Sequence, residues 1–214
     1  MSEAMEERRA LKDRVLEAAL MHAAFDGWSR KTLLNAAADV GVEPATARRL
    51  FPQGGDSLLD WLDDWADRRM MAALEGEDLL RLPVRRRIAR LVRARLEAFA
   101  PHREALRRAA VARSLPTSIG TAGRSIWRTV DLMWQLAGMP GGAGEGWSWY
   151  TRRASLAGVL VSTYLYWFED PSDDHADTWA FLERRIEDVM RIGKARGRLQ
   201  DMFEGLTGLR RQAP

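Results

Sequence analysis

Apolar residues recur at helical spacing through most of the chain, and no stretch shows the alternation that is typical of a β-strand. The protein is therefore predicted to be all-α. In the first 80 residues the pattern indicates four helices, separated at glycines that favour helix ends. They are expected at Lys12–Phe25, from Ser29 or Lys31 to Gly41, from Glu43 to Phe51, and from a cap at Asp56–Ser57 through Met70.

A helix, a turn with glycine, a short helix and a long helix together form a helix-turn-helix arrangement. The spacing through Phe51 and Gly54 resembles the N-terminal module of TetR-type repressors, and we assign residues 1–80 to such a module. A helix that reads DNA needs cations that reach phosphates. The short helix offers only Arg48 and Arg49, and the next helix reads DSLLDWLDDWAD. The module is therefore predicted to bind no DNA.

Residues 81–193 are predicted to form a second domain, a bundle of helices. Either one long helix or two helices that meet near Pro101 cover Pro83–Arg113. The expected core stripe of this segment is Ile88, Leu91, Val92, Leu96 and Phe99. Pro116 and the run Ser118–Gly123 (SIGTAG) are expected to end this helical segment, and a further helix covers Arg124–Ala137.

The segment Trp147–Asp170 is predicted to be the central helix of this bundle. It contains 15 consecutive uncharged residues, Ala154–Phe168, whereas a bilayer-spanning helix needs roughly 20. We expect it to be buried nearly all round and to be thin at Gly158, Ser162 and Thr163, so that a neighbour can pack closely. The acidic residues that follow are expected to form a solvated cap for the next helix; they are Glu169, Asp170, Asp173 and Asp174.

Charge is distributed unevenly. The formal net charge is +3, but residues 1–80 carry −6, and residues 81–113 carry +9 with 11 arginines. Either these two regions neutralise each other within the fold, or the arginine band attracts an anionic surface.

The last segment, residues 194–214, has the pattern of a basic amphipathic helix. Such a helix either lies in a membrane interface or packs on its own domain or on a dimer partner, and the residues alone do not decide between these. The residues expected to contact a membrane are Lys194, Arg196, Arg198, Leu199, Met202, Phe203 and Leu206.

Residues that carry catalysis are hard to find. The chain has no cysteine, and its three histidines, His22, His102 and His175, fall in different predicted helices, so no metal site is indicated. No nucleophile motif and no phosphate-binding glycine loop is present. We therefore expect a protein that is not an enzyme and that has no cofactor.

Several motifs resemble one family, the ubiquinone-biosynthesis accessory proteins known as the ninth Coq proteins. After residue 130 these are DLMW (131–134), WSWYTRRASLAGV (147–159), EDPSDDHADTWAFLERRIEDVM (169–190) and RIGK (191–194). The earlier PHREALRRA (101–109) and ARRLFPQG (47–54) are also similar, so that the resemblance covers nearly the whole chain.

The resemblance implies a TetR-like fold that carries lipid in an apolar pocket of its C-terminal domain. It implies an isoprenoid quinone or phospholipid ligand, a di-iron (or flavin) quinone hydroxylase as partner, a membrane surface, a homodimer and no nucleic acid. Its partner-binding patch corresponds to Met133, Trp149 and Tyr150. The segment before that patch, Gly138–Gly146, differs from the family's usual acidic and polar linker.

An excess of wide aromatic and of small residues around the central helix predicts a cavity there, in place of a fully packed core. Its expected lipid-binding walls are Trp127, Val130, Trp134, Leu156, Val159, Leu160, Thr163, Trp167, Phe181 and Ile186. The other interpretation of the whole chain is a TetR-family transcriptional regulator with a hydrophobic ligand pocket.

The sequence also suggests a location. Its start, MSEAMEERR, is acidic and has no apolar run, so we expect neither a secretory signal nor a mitochondrial transit peptide. The abundance of alanine, arginine and glycine favours a bacterial protein, in the cytoplasm and peripheral on the inner membrane.

Overall fold

A computed structural model describes residues 3–115, 118–139 and 147–191, and every long regular element in these ranges is an α-helix. The all-α prediction is therefore confirmed. The helices are α1 Glu3–Asp26, α2 Arg30–Asp39, α3 Pro44–Leu50, α4 Gly55–Ala73, α5 Val84–Glu97, α6 Arg103–Arg113, α7 Ile119–Leu136, α8 Trp147–Glu169 and α9 over residues 176–191.

Helices α1 to α4 form the helix-turn-helix module. Gly27 and Gly41 follow α1 and α2 with φ of 72° and 70°, a conformation that glycine adopts without strain. Ser29 is the N-cap of α2, and its hydroxyl accepts a hydrogen bond from the Thr32 N–H at 3.1 Å. These ends agree with those expected from the sequence.

Gly55, the first residue of α4, lies tightly against the turn that precedes α2. A Cβ atom at this position would lie 2.4 Å from the carbonyl oxygen of Trp28, so only glycine fits without a backbone shift. The indole N–H of Trp28 in turn donates to the carbonyl of Ala105 at 2.9 Å. This contact ties the module to α6.

Three predicted helix starts need correction. Helix α1 begins at Glu3, nine residues before Lys12. The apolar pattern missed its first turns because they are exposed and carry no apolar stripe. Helix α4 begins at Gly55 after Gly54, and not from a cap at Asp56–Ser57. Helix α7 begins at Ile119, so most of the SIGTAG run is helical; glycine in an exposed helix costs only about 1 kcal/mol, which neighbouring contacts can offset.

The second half of the chain is a helical bundle. A 3-10 turn at Ala100–His102 separates α5 from α6, so the two-helix alternative near Pro101 is the one observed. The predicted core stripe of α5 is buried and consists of Ile88, Leu91, Val92, Leu96 and the following Phe99.

Most of the arginine band is paired inside the molecule. Arg86 lies 2.7 Å from Glu183, Arg93 lies 2.7 Å from Glu97, and Arg90 pairs with Glu77. Arg87 donates to the carbonyl oxygens of Leu82 and Ala137, each at 2.7 Å. These contacts favour neutralisation within the fold over attraction of an external anion.

Helix α8 is less buried than its sequence suggests. Leu165 is 59% exposed, and Val161 and Tyr166 are each 37% exposed, so one side of the helix faces outwards. A Cβ atom on Gly158 would meet no heavy atom within 4 Å. The expected close approach at Gly158 is therefore absent from the described part of the bundle.

Asp170, expected in a solvated cap, is instead a buried hub between α8 and α9. Its carboxylate accepts hydrogen bonds from the backbone N–H groups of Ser172 and Thr178, each at 2.8 Å, and from both hydroxyls. Burial alone would raise the pKa of Asp170, but these hydrogen bonds hold that pKa well below its usual value. Its backbone carbonyl accepts from Arg103 at 2.8 Å, which fixes the turn against α6.

Candidate functional site

An apolar cavity of about 320 Å³ lies among α6, α7 and α8 and reaches α4 and α5 on one side. Its volume falls at the lower end of the roughly 300–1,000 Å³ that is usual for ligand pockets. Ser114, Val161 and Leu165 line it and are exposed, so they mark its mouth. The other lining residues are Asp63, Arg95, Leu106, Ala110, Arg113, Ala122, Ile126, Thr129, Leu160, Tyr164 and Phe168.

One wall of the cavity is polar, and its centre is Arg95 of α5. This guanidinium is 3% exposed and lies between Asp63 and Asp67, which are one helical turn apart on α4. Its Nε donates to Asp67 at 2.8 Å, and its Nη2 donates to Asp63 at 3.1 Å. Both pairs are buried, where charges must be matched to be tolerated.

Helices α6 and α7 complete this polar cluster, which we define as Asp63, Asp67, Arg95, Arg113, Ser125 and Thr129. Arg113 donates to Asp63 at 2.5 Å and to the carbonyl of Leu59 at 2.7 Å. Ser125 donates to Asp63, and Thr129 donates to Asp67 at 2.9 Å. Two carboxylates therefore balance two guanidiniums.

The cluster keeps Asp63 and Arg95 ionised. Burial would raise the pKa of Asp63, but the charges of Arg113 and Arg95 and the Ser125 hydrogen bond bring it below its usual value. Burial opposes the charge of Arg95, yet the nearby Tyr164, Asp67 and Asp63 raise the pKa of Arg95 overall.

Tyr164 of α8 connects the cluster to the cavity. Its hydroxyl accepts a hydrogen bond from Nη1 of Arg95, and its ring lies 6.3 Å from that of Phe99. Burial, the largest influence, raises the pKa of Tyr164 despite the opposing charge of Arg95, so the phenol stays protonated at neutral pH.

The structure places the predicted lipid-binding residues differently from the expectation. Leu160 lines the cavity, but the other predicted wall residues do not. Phe181 and Ile186 border two separate surface pockets, and Trp127 is partly buried. The remaining ones are buried in the packed core: Val130, Trp134, Leu156, Val159, Thr163 and Trp167. Helical periodicity identifies the inward face of a helix, but it does not show where that face leaves a gap.

The predicted partner-binding residues are also separated. Met133 is 0% exposed and lies in the core of this chain. The prediction that it forms part of a surface patch is therefore corrected. Tyr150 is 60% exposed, with its ring 6.1 Å from that of Trp127. The side chain of Trp149 lies outside the described residues.

The predicted membrane-binding residues, from Lys194 to Leu206, all lie beyond the described ranges. Within those ranges, no helix is long and apolar enough to cross a membrane. The described side chains likewise contain no group of three or more His, Asp or Glu residues that could hold a metal ion.

Sequence reasoning missed the polar cluster. The acidic run of α4 counts against DNA binding, yet two of its members, Asp63 and Asp67, follow Leu59 at steps of four, on the side that also buries Met70. Two acids at that spacing within an apolar stripe are a usable signal of a buried pair. Their partner, Arg95, could not be identified without the fold because it lies 28 residues from Asp67.

Comparisons with known proteins agree on one family and one fold. Residues 119–193 match the family profile described as COQ9. The ubiquinone biosynthesis protein COQ9-B, mitochondrial, of Xenopus laevis is 31% identical over 97% of this chain and 73% of its own length. The human COQ9 protein is 30% identical over 94% of this chain.

The same chain is similar in structure to TetR regulators. A regulator from Nitrosomonas europaea matches with a TM-score of 0.68 at 24% identity, over 85% of this chain and 98% of its own. One from Rhodococcus sp. RHA1 gives 0.57 at 15% identity, over 86% and 97%. At these identities the likeness shows the TetR-like fold alone.

The comparisons also show how much of each relative this chain covers, and they bear on its predicted location. This chain spans 64% of the human relative and 56% of the Drosophila melanogaster relative. The predicted bacterial location, cytoplasmic and peripheral on the inner membrane, is wrong by this comparison, because the matched relatives are named as mitochondrial proteins. Amino-acid usage reflects genome composition as much as compartment, so it was a poor guide to location.

Proposed function

This chain belongs to the COQ9 family, and we propose that it is a lipid-binding accessory protein of ubiquinone biosynthesis. In this proposal it binds isoprenoid quinone intermediates and presents them to a membrane-associated ring hydroxylase, without catalysing a reaction itself. The observation that carries the proposal is the apolar cavity among α6, α7 and α8 in a chain whose relatives are named for ubiquinone biosynthesis.

The shape and lining of the cavity support a lipid ligand. Its walls are mostly hydrocarbon, from residues such as Leu106, Ile126 and Phe168, and transfer of an isoprenoid unit from water to such walls is favourable. At the mouth, Val161 and Leu165 are exposed apolar residues, where a longer lipid tail could leave.

The proposed division of the chain has three parts. The helix-turn-helix module is residues 1–80, the lipid-binding domain is residues 81–193, and the membrane-binding helix with its C-terminal end is residues 194–214.

The regulator alternative has less support from the surface of the module. Arg49 of α3 donates to Thr46 at 2.9 Å on its own helix, and the outer side of α4 presents Asp56 and Asp60. Acidic groups near a reading helix oppose phosphate contact, which dominates DNA affinity.

Mass spectrometry of an organic extract tests the proposed function directly. We expect the purified protein to carry an isoprenoid quinone or related lipid, and to show no salt-dependent binding to duplex DNA. An extract without lipid, together with DNA binding that weakens steeply with salt, would instead support the regulator.

The proposal includes membrane contact and self-association, which the resemblance implies. Residues 194–206 would lie in the interface, with Phe203 among the acyl chains and Arg198 near anionic head groups. Membrane contact is tested by flotation of the protein with anionic vesicles, compared with flotation of a chain that ends at Gly193. Light scattering in solution tests the homodimer.

Tyr150 is the described residue that best fits a hydroxylase-binding surface. Exposed aromatic residues bury a large area on association with few torsions to freeze, and truncation of such a residue costs about 2 kcal/mol, roughly 30-fold in Kd. We expect Tyr150→Ala to weaken binding of the quinone hydroxylase by this factor without changing lipid content. The matched control is Tyr166→Ala, also on α8 and 37% exposed. Unchanged binding in Tyr150→Ala, equal effects of both variants, or a loss of binding that occurs only alongside unfolding would exclude the surface.

A further inference from the structure

The ligand cavity has one polar end, and its chemistry restricts what can bind there. Asp63, Arg95, Arg113, Thr129 and Tyr164 line one wall, whereas the rest of the lining is almost entirely apolar. A ligand that enters with its polar group first therefore places that group against this wall.

The polar cluster has no charge to offer to a ligand. Asp63 is bonded by Arg95, Arg113 and Ser125, and Asp67 is bonded by Arg95 and Thr129. Two buried negative charges thus match two positive ones. An anionic head group would have to displace a carboxylate from its guanidinium in a region of low dielectric, where an unpaired buried charge is strongly unfavourable.

Tyr164 has a hydrogen-bond donor that the cluster does not use. A phenol hydroxyl has one proton to donate, and this hydroxyl already accepts from Arg95. Among the described residues, no acceptor receives the Tyr164 proton. The guanidinium contact also polarises the phenol, which strengthens the bond that it can donate. Tyr164 is itself a lining residue, so its phenol is within reach of a ligand in the cavity.

We propose that Tyr164 is the residue that selects a neutral lipid head with an acceptor oxygen, such as a quinone carbonyl, over an anionic phospholipid head. This proposal rests on the proposed function, and it names the ligand class for the same cavity. The donor is the Tyr164 O–H, held in place by Arg95, and the apolar walls receive the first part of the isoprenoid tail.

The test compares Tyr164→Phe with wild type. A benzoquinone with two isoprene units is titrated by quenching of tryptophan fluorescence, and short-chain phosphatidylglycerol is used to displace it. A net hydrogen bond contributes on the order of 1 kcal/mol, so we expect Tyr164→Phe to weaken quinone binding about three- to tenfold. Displacement by phosphatidylglycerol should require high concentrations for wild type and become relatively easier for the variant.

Tyr166→Phe is the matched control. It removes the same hydroxyl two residues further along α8, at a ring that stacks on Phe181 at 4.5 Å and borders a different pocket. It should leave the quinone Kd unchanged. An equal loss in both variants would overturn the assignment of Tyr164, as would unchanged binding in Tyr164→Phe.

A second measurement avoids the variant, which also removes a partner of Arg95. Infrared difference spectra of wild type with carbonyl-labelled quinone should show one carbonyl stretch at lower wavenumber than in an apolar solvent. If neither carbonyl shifts, the hydrogen bond is absent and the inference fails, whereas the lipid-binding proposal stands. If wild type binds no quinone at all, the proposed function itself fails.

Discussion

Replacing Arg95 with methionine is expected to lower the free energy of unfolding by roughly 3–5 kcal/mol, because it leaves the buried Asp67 without its cationic partner and removes one of the two from Asp63. Methionine retains much of the aliphatic stem but donates no hydrogen bond. Asp67 would then keep only Thr129 as a side-chain donor among the described residues, and Tyr164 would lose its contact with the cluster. Since small domains are stable by only about 5–15 kcal/mol in total, the shift should be large.

Urea denaturation followed by helical circular dichroism measures this loss. Arg93→Met is the matched control, two residues earlier on α5, because Arg93 makes an exposed pair with Glu97 at 2.7 Å. Pairs of that kind contribute less than about 1 kcal/mol. Adding Asp67→Asn to Arg95→Met should restore part of the loss, since it removes the stranded charge. Equal losses for Arg95→Met and Arg93→Met would show that the cluster does not hold the bundle together.

The C-terminal ends of α1 and α2 and the core stripe of α5 were the features that the sequence pattern predicted well. Gly27 and Gly41 end α1 and α2 because both adopt positive φ, which disfavours other residues. The stripe from Ile88 to Phe99 was correct because its residues recur on one side of α5 and continue at Phe99, just past the end of the helix. Local chemistry decides such features, so they can be inferred without knowledge of the fold.

The position of the cavity could not be inferred in this way. Val130 and Trp134 of α7 were expected to line it, and both are buried, but against the packed core. The gap arises where Ala110 of α6 and Ala122 of α7 line the cavity with short side chains. Which inward residues meet a wide neighbour and which meet a small one depends on how the helices cross. A single helix pattern contains no information about that crossing.

Charged residues were misjudged for a related reason. Asp170 was expected in a solvated cap, and the burial of Asp63 and Asp67 was not foreseen, because carboxylates are rarely buried unless paired. Each of them is matched in the fold by donors from other elements, Arg95 for the first two and Thr178 for the third. Such compensation comes from residues distant in sequence, so charge patterning alone points the wrong way.

Filling the cavity should abolish lipid binding while the helical fold persists. Ala110 of α6 lines the cavity, and Ala110→Phe would place a phenyl ring in the space that a ligand needs. If a ligand still binds, overpacking destabilises the complex by about 1–3 kcal/mol, which raises Kd by roughly 5- to 150-fold. We therefore expect affinity for the two-isoprene benzoquinone to fall within this range, with a matching fall in extracted lipid.

Val111→Phe provides the control, because Val111 is the next residue on α6 and is 64% exposed, outside the cavity lining. It adds the same ring to the same helix and should leave lipid content unchanged. Thermal unfolding of Ala110→Phe should remain close to that of lipid-free wild type, since the ring occupies space that is otherwise empty of side chains. If Ala110→Phe keeps its full lipid content while folded, the ligand lies elsewhere, and the cavity among α6, α7 and α8 is not the lipid site.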